Sequence, residues 1–168
     1  MPAKGAFDGL EAALRKAGDA FQNQKLLNKL GLGGIRLIKK RTRKGKNVQG
    51  QPFDRAPSAE GSSPYSPGHE RKREKKGLPT GRIDFVFSLY GGMMEKIDHT
   101  VTNDLSDVTI TIQDDDKRQI ARYWNVEGAG PGEMIRRFWG LSGEETEKVR
   151  GLATDTIQQD LDRLLASL

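Results

Sequence analysis

The chain has no cysteine, only two histidines, and aromatic residues at just 7% of its 168 positions. Without cysteine it can build neither a disulfide framework nor a thiolate metal site, nothing ties it to an oxidising compartment, and synthesis inside the cell is expected. His69 and His99 stand far apart, one in a loop-like stretch and one in a strand-like stretch, so neither a zinc site nor histidine-based catalysis is expected. No apolar run is long enough for a signal peptide or a membrane span; a soluble chain with no membrane partner is the expectation. A G-x-S-x-G nucleophile elbow is also missing. Gly31-Leu32-Gly33-Gly34 has no preceding strand and lacks the lysine and hydroxyl of a phosphate loop, and Asp114-Asp115-Asp116 lacks the spaced ligands of a calcium loop. Asp84, Glu95 and Asp98 lie close enough in sequence to suggest nuclease acids, but charges on the outer face of an edge strand account for them more simply. No catalytic residue, cofactor or metal is assigned, and an enzyme is the least supported class.

What is present is positive charge, unevenly spread. Residues 1–82 carry 19 Lys/Arg against 7 Asp/Glu, a net of +12, while the remainder carries 9 against 16, a net of −7. Such asymmetry suits copies that pair a basic face with an acidic one, or a basic insertion on an ordinary domain. The length fits one domain able to bury roughly two-thirds of its unfolded surface.

Phe7, Leu10, Leu14, Ala17 and Phe21 recur at helical steps, continued by Leu26, Leu27 and Leu30; Gly31, Gly33 and Gly34 should then weaken or break the helix, at about 1 kcal/mol each. Ile35, Leu37 and Ile38 restart a short helix ending in the run Lys39-Lys40-Arg41-Thr42-Arg43-Lys44. Residues 1–38 are thus a helical segment, and 39–80, rich in Gly, Pro, Ser and charge, read as a basic extended arm. From Gly81 the pattern changes to period two, with Phe85 and Phe87 alternating with polar neighbours. Residues 96–102 and 107–113, joined by the turn cluster Asn103-Asp104-Leu105-Ser106, form a β-hairpin. Ser142-Gly143-Glu144-Glu145 is a capping box opening a helix with Val149, Leu152, Ile157, Leu161, Leu164 and Leu168 on its apolar side. The expected fold is α+β: an N-terminal amphipathic helix, a long basic arm, and a small antiparallel sheet with a C-terminal helix packed on it, 81–168 forming a single domain with 1–38.

Three segments carry a family resemblance. Leu89-Tyr90-Gly91-Gly92-Met93-Met94-Glu95-Lys96-Ile97 resembles a Leu-Thr-Gly-x-Met/Leu-Leu-x-Ser-Ile turn, with Tyr90 and Lys96 replacing threonine and serine. Ile120-Ala121-Arg122-Tyr123-Trp124-Asn125-Val126-Glu127-Gly128 resembles a Tyr-Ala-x-Tyr/His-His-Gln-x-Gly element. Ile135-Arg136-Arg137-Phe138-Trp139-Gly140-Leu141-Ser142-Gly143-Glu144-Glu145 is similar to an Ile-Pro-x-Arg-Pro-Phe-Leu-Gly-Leu-Ser-x-x-Asp/Glu junction before a last helix. Gly50-Gln51-Pro52-Phe53 and Ser63-Pro64-Tyr65-Ser66-Pro67 resemble a Gly-x-Pro-aromatic loop. Together these resemble the tail-completion, or virion-morphogenesis, family of tailed bacteriophages and prophages.

The resemblance implies a structural protein of the virion, made in the host cytoplasm, that closes into a homo-oligomeric ring, expected as a hexamer, at the head-to-tail junction, neck or tail terminus. Its partners would be copies of itself, neighbouring tail-tube or head-joining proteins, and packaged DNA through non-specific contact. Phe53, Tyr65, Trp124, Phe138 and Trp139 are the aromatic interface candidates. Lys39, Lys40, Arg41, Arg43, Lys44, Arg71, Lys72 and Arg73 are the basic-arm candidates for a protein or DNA partner, and neutralising the first five should leave the fold intact. Alternation before Gly140 should send Phe138 and Trp139 to opposite faces, one into the core and one to an interface. The alternative function is a basic nucleic-acid-binding protein whose arm is disordered until it meets its target.

Overall fold

The structure is a computed structural model that describes residues 23–83, 92–105, 107–128 and 135–166. The helix expected over Phe7–Phe21 and the alternation at Phe85 and Phe87 lie outside the described residues, as do Leu89, Tyr90 and Gly91 of the first family-like segment.

Helix α1, Gln24–Arg43, runs unbroken through all three glycines that were expected to interrupt it. Packing reverses the propensity argument. A Cβ built on Gly31 would fall 2.4 Å from the His99 ring, one on Gly34 would fall 2.6 Å from Ile110 Cδ1, and one on Gly33 would fall 3.0 Å from Leu152 Cδ2. The glycines therefore let the helix backbone close on three neighbours, and those contacts outweigh a propensity cost of about 1 kcal/mol each. The helix ends where its hydrogen bonds say it must: Gly45, at φ 69°, donates to Thr42 O at 2.9 Å and Lys46 donates to Arg41 O at 3.3 Å, the paired bonds of a Schellman stop.

The expected hairpin forms as β1, Ile97–Val101, and β2, Val108–Ile112, antiparallel with Ile97 opposite Ile112 and His99 opposite Ile110. Its odd β1 and even β2 positions turn toward α1, while Asp98, Thr100 and Thr109 face outward. A helix absent from the sequence reading follows: α3, Asp115–Arg122, capped by Asp114, whose carboxylate accepts the Lys117 N–H at 3.0 Å. The Asp114-Asp115-Asp116 cluster is thus a helix start, with Asp115 paired to Arg118 at 2.9 Å. The chain then widens into a π-helical turn over Tyr123–Glu127.

The C-terminal helix α4, Gly143–Leu165, opens on the expected capping box: Glu145 N–H donates to Ser142 Oγ at 3.1 Å and Ser142 N–H to Glu145 Oε2 at 2.9 Å. Its main packing partner is α1 rather than the sheet itself. Arg41 meets Glu145, Gly33 meets Leu152 and Lys29 meets Thr156, so the two helices run antiparallel. The fold is α+β, with α1 shared between the hairpin and α4.

The basic arm needs correction. Residues 39–43 belong to α1, and Pro67–Lys75 form a second helix, α2, with proline in its first turn and a Schellman stop at Gly77. The rest of 44–80 is irregular but docked. Phe53, Tyr65 and Ile83 enter one core with Ile38, Met93, Met94, Ile112 and Phe138. Tyr65 Oη donates to Arg82 O at 2.9 Å, and Val48 N–H donates to Arg137 O at 2.7 Å. These apolar anchors are isolated in sequence, so no periodicity announces them.

Candidate functional site

The junction over 135–145 is the most heavily tied segment. Phe138 is fully buried, and Arg41 reaches across from α1 to pair with Glu145 while donating to Phe138 O at 2.5 Å and Gly140 O at 3.0 Å. Gly140, at φ 100°, makes the turn that brings its own carbonyl to this guanidinium. Arg41 thus satisfies the irregular segment before α4 and the helix cap together, and it is a structural residue, not a free cation. Neutralising the basic run cannot leave the fold intact when Arg41 is included. Arg73 needs the same correction: it is 1% exposed, lies over the Tyr65 ring at 4.6 Å and donates to Pro79 O at 2.8 Å.

The aromatic candidates separate into two groups. Phe53, Tyr65 and Phe138 are core residues of the single chain and unavailable to a partner as it stands. Trp124 and Trp139 are half-buried at the edge of that core. Phe138 and Trp139 meet edge to face at 6.4 Å, Phe138 pointing inward and Trp139 lining a surface groove.

That groove, about 280 Å³, lies between β2 and the end of α3, with Ile110, Ile112, Ala121, Asn125, Val126 and Trp139 on its walls. The bonds Thr102 N–H to Asp107 O and Gln113 N–H to Lys96 O fix the ladder phase. Val108, Ile110 and Ile112 therefore turn their backbone groups away from β1. Among the described residues no strand pairs with this edge, although Arg118 Nε caps Ile112 O at 3.0 Å. Val126 on the groove wall is 63% exposed, and Tyr123 and Ile135 are 43% and 41% exposed. These three were missed by sequence reasoning; the alternation at 135–139 and the extra residue of the π turn set which side chains face out, and only the former is readable.

The second and third family-like segments interlock here. Arg136 N–H donates to Trp124 O at 2.6 Å, its guanidinium lies 4.8 Å from the Trp124 ring, and Trp139 N–H donates to Asn125 Oδ1 at 2.9 Å. Arg136 also grips the loop through Asp54 O at 3.0 Å.

On the far side of α1 the exposed basic side chains are Lys25, Lys29, Arg36, Lys40 and Arg43, with Lys39 half-buried. Only Lys39, Lys40, Arg43 and Lys44 of this region were expected as site residues; Lys25, Lys29 and Arg36 join them because the helix does not break at the glycines. Arg71 and Lys72 are exposed on α2, away from this row in sequence. His69 stacks on Tyr65 at 4.9 Å, and burial, followed by the charges of Arg73, Arg136 and Lys72, holds its pKa below the ordinary 6.5. Among the described residues no cluster of His, Asp or Glu could hold a metal ion, and no helix is long and apolar enough to cross a membrane. No family model, curated protein or solved structure matches the chain.

Proposed function

We propose that the chain is a non-enzymatic virion protein of a tailed phage, a ring subunit that completes the tail or joins it to the head. The supporting observation is how the family-like segments meet. The second and third segments lock together through Trp124, Asn125, Arg136 and Trp139, and Met93 and Met94 of the first share one core with Phe138 of the third. Of their exposed residues Tyr123, Val126 and Ile135, Val126 lines a groove beside a β2 edge with which no strand pairs among the described residues. Exposed apolar side chains next to a strand edge that no described strand covers make a surface suited to subunit contact, and ring closure asks for such a face together with a different complementary one.

Native mass spectrometry and electron microscopy of the full chain test this. A closed particle of discrete mass is expected, and Val126→Asp should return it to monomer without changing its circular dichroism. A wild-type chain that stays monomeric at its highest soluble concentration and forms no particle would sink the reading.

A further inference from the structure

We infer that the outer face of α1 is a docking surface for the phosphate backbone of duplex DNA. At 100° per residue, Lys25, Lys29, Arg36, Lys40 and Arg43 fall within about 60° of one another, opposite the face buried through Gly31, Gly34, Ile35 and Ile38. The row spans about 27 Å at 1.5 Å per residue.

The charge on this face is uncompensated. Helix α1 contains no acidic residue, and among the described residues none of these five cations forms an ion pair. In the neighbouring α4, Glu144 pairs with Lys148 at 2.5 Å, Glu147 with Arg150 at 2.6 Å, Asp160 with Arg163 at 3.3 Å and Glu145 with Arg41, and neither Asp155 nor Asp162 forms an ion pair with this row. Lys25 also sits in the first turn of α1, where a cation opposes the helix dipole, so helix stability does not explain it. Alongside the row runs an open groove of about 610 Å³ between α1 and α4, where Lys25, Lys29 and Arg36 are joined by the amides of Gln24 and Asn28. Cations and amides in line are the donors that phosphate oxygens accept from.

The face fits a duplex better than other polyanions. An acidic protein partner would ask for aromatic or other apolar anchors at the centre of the contact, and Leu32 is the single large apolar side chain exposed along this row. A single strand would ask for aromatic platforms on which bases stack, and α1 contains no aromatic residue. What remains is contact with the backbone, without base readout. The outer face of α1 shares no residue with the β2 groove proposed for ring assembly, so either can fail alone.

The test is salt-dependent binding of the full chain to a mixed-sequence duplex. Five phosphate contacts give a slope of about −4.5 in log K against log salt, equivalent to about a 500-fold loss between 50 and 200 mM. Replacing Lys25, Arg36, Lys40 and Arg43 with glutamine should flatten the slope to about −1, whereas replacing Arg71, Lys72, Lys75 and Lys76 on and after α2 should leave it near the wild-type value. Arginine at Lys25 and Lys40 should preserve binding and so separates charge from folding. Equal losses in both glutamine variants would show binding that follows net charge alone and would overturn the assignment. So would unchanged DNA binding in the α1 variant, tighter binding of a single strand than of the duplex, or an α1 variant that loses only protein partners.

Discussion

Removing the Arg41 guanidinium takes a donor from three acceptors at once, the Glu145 carboxylate and the carbonyls of Phe138 and Gly140, and leaves the buried carboxylate without its counter-charge. Breaking a buried pair from one side costs about 3–5 kcal/mol because the remaining charge keeps its desolvation penalty. Arg41→Gln should therefore lower the unfolding free energy in urea by about that amount, while Lys40→Gln, one residue away and exposed, should change it by less than about 0.5 kcal/mol. Equal effects would mean that Arg41 is only another surface cation. A milder effect is expected at His69, whose pKa is lowered by burial first and then by Arg73, Arg136 and Lys72. The unfolded chain binds this proton more readily than the folded one. The stability it contributes is therefore fully present above the unfolded value of about 6.5 and lost as pH falls through the lowered folded value. Urea unfolding at about pH 7.5 and about pH 5.5 should show a loss that shrinks in His69→Gln. An identical loss in the variant would assign the pH dependence to other groups.

At the scale of elements, glycines on helices make opposite predictions according to what lies beside them. Gly151, in α4, has nothing within 4 Å of where a Cβ would sit, so Gly151→Ala should stabilise by about 0.5–1 kcal/mol. Gly31→Ala gains the same propensity yet must displace the His99 ring, which is held by Asn28 at 3.0 Å, and should destabilise. Thermal unfolding of the two variants should move in opposite directions; if Gly31→Ala also stabilises, the close approach of α1 to the hairpin is not real. This contrast also explains what could be read from the sequence. The hairpin and the capping box at Ser142 were legible because their determinants lie within a few residues of one another. The continuity of α1 was not, since it depends on His99, Ile110 and Leu152 arriving from elsewhere. The same holds for Arg41, whose partners at 138, 140 and 145 have no local signature, and whose charge in a basic run points toward solvent. Helix α3 was hidden for a simpler reason: in eight residues only Ile120 and Ala121 are apolar, too few to mark a stripe at helical steps.

Across the whole molecule, basic α1 lies along α4 from the acidic half, and Arg41–Glu145 is the one ion pair between the two helices among the described residues. The stretch that follows α1, 44–80, is not an arm free to reach a neighbour. Phe53 and Tyr65 hold it on either side of a short excursion, Arg136 holds Asp54 O, and Ala56 N–H donates to Pro64 O at 2.8 Å across the base. At the tip, Pro57, Ser58, Glu60, Gly61 and Ser62 are exposed, the kind of small, polar loop end where proteases cut first. A glutamate-specific protease at limiting concentration should thus cleave after Glu60 before it touches Glu70 or Glu74 in α2. The two new ends should stay in place, since each is anchored to the core within a few residues. The nicked protein should accordingly keep its native mass in gel filtration and a single cooperative unfolding transition. First cleavage at Glu70 or Glu74 would mean that α2 opens more readily than the loop before it. Separation of the fragments after cleavage at Glu60 would mean that the Phe53 and Tyr65 anchors do not hold, and would return 44–80 to the extended arm its composition suggests.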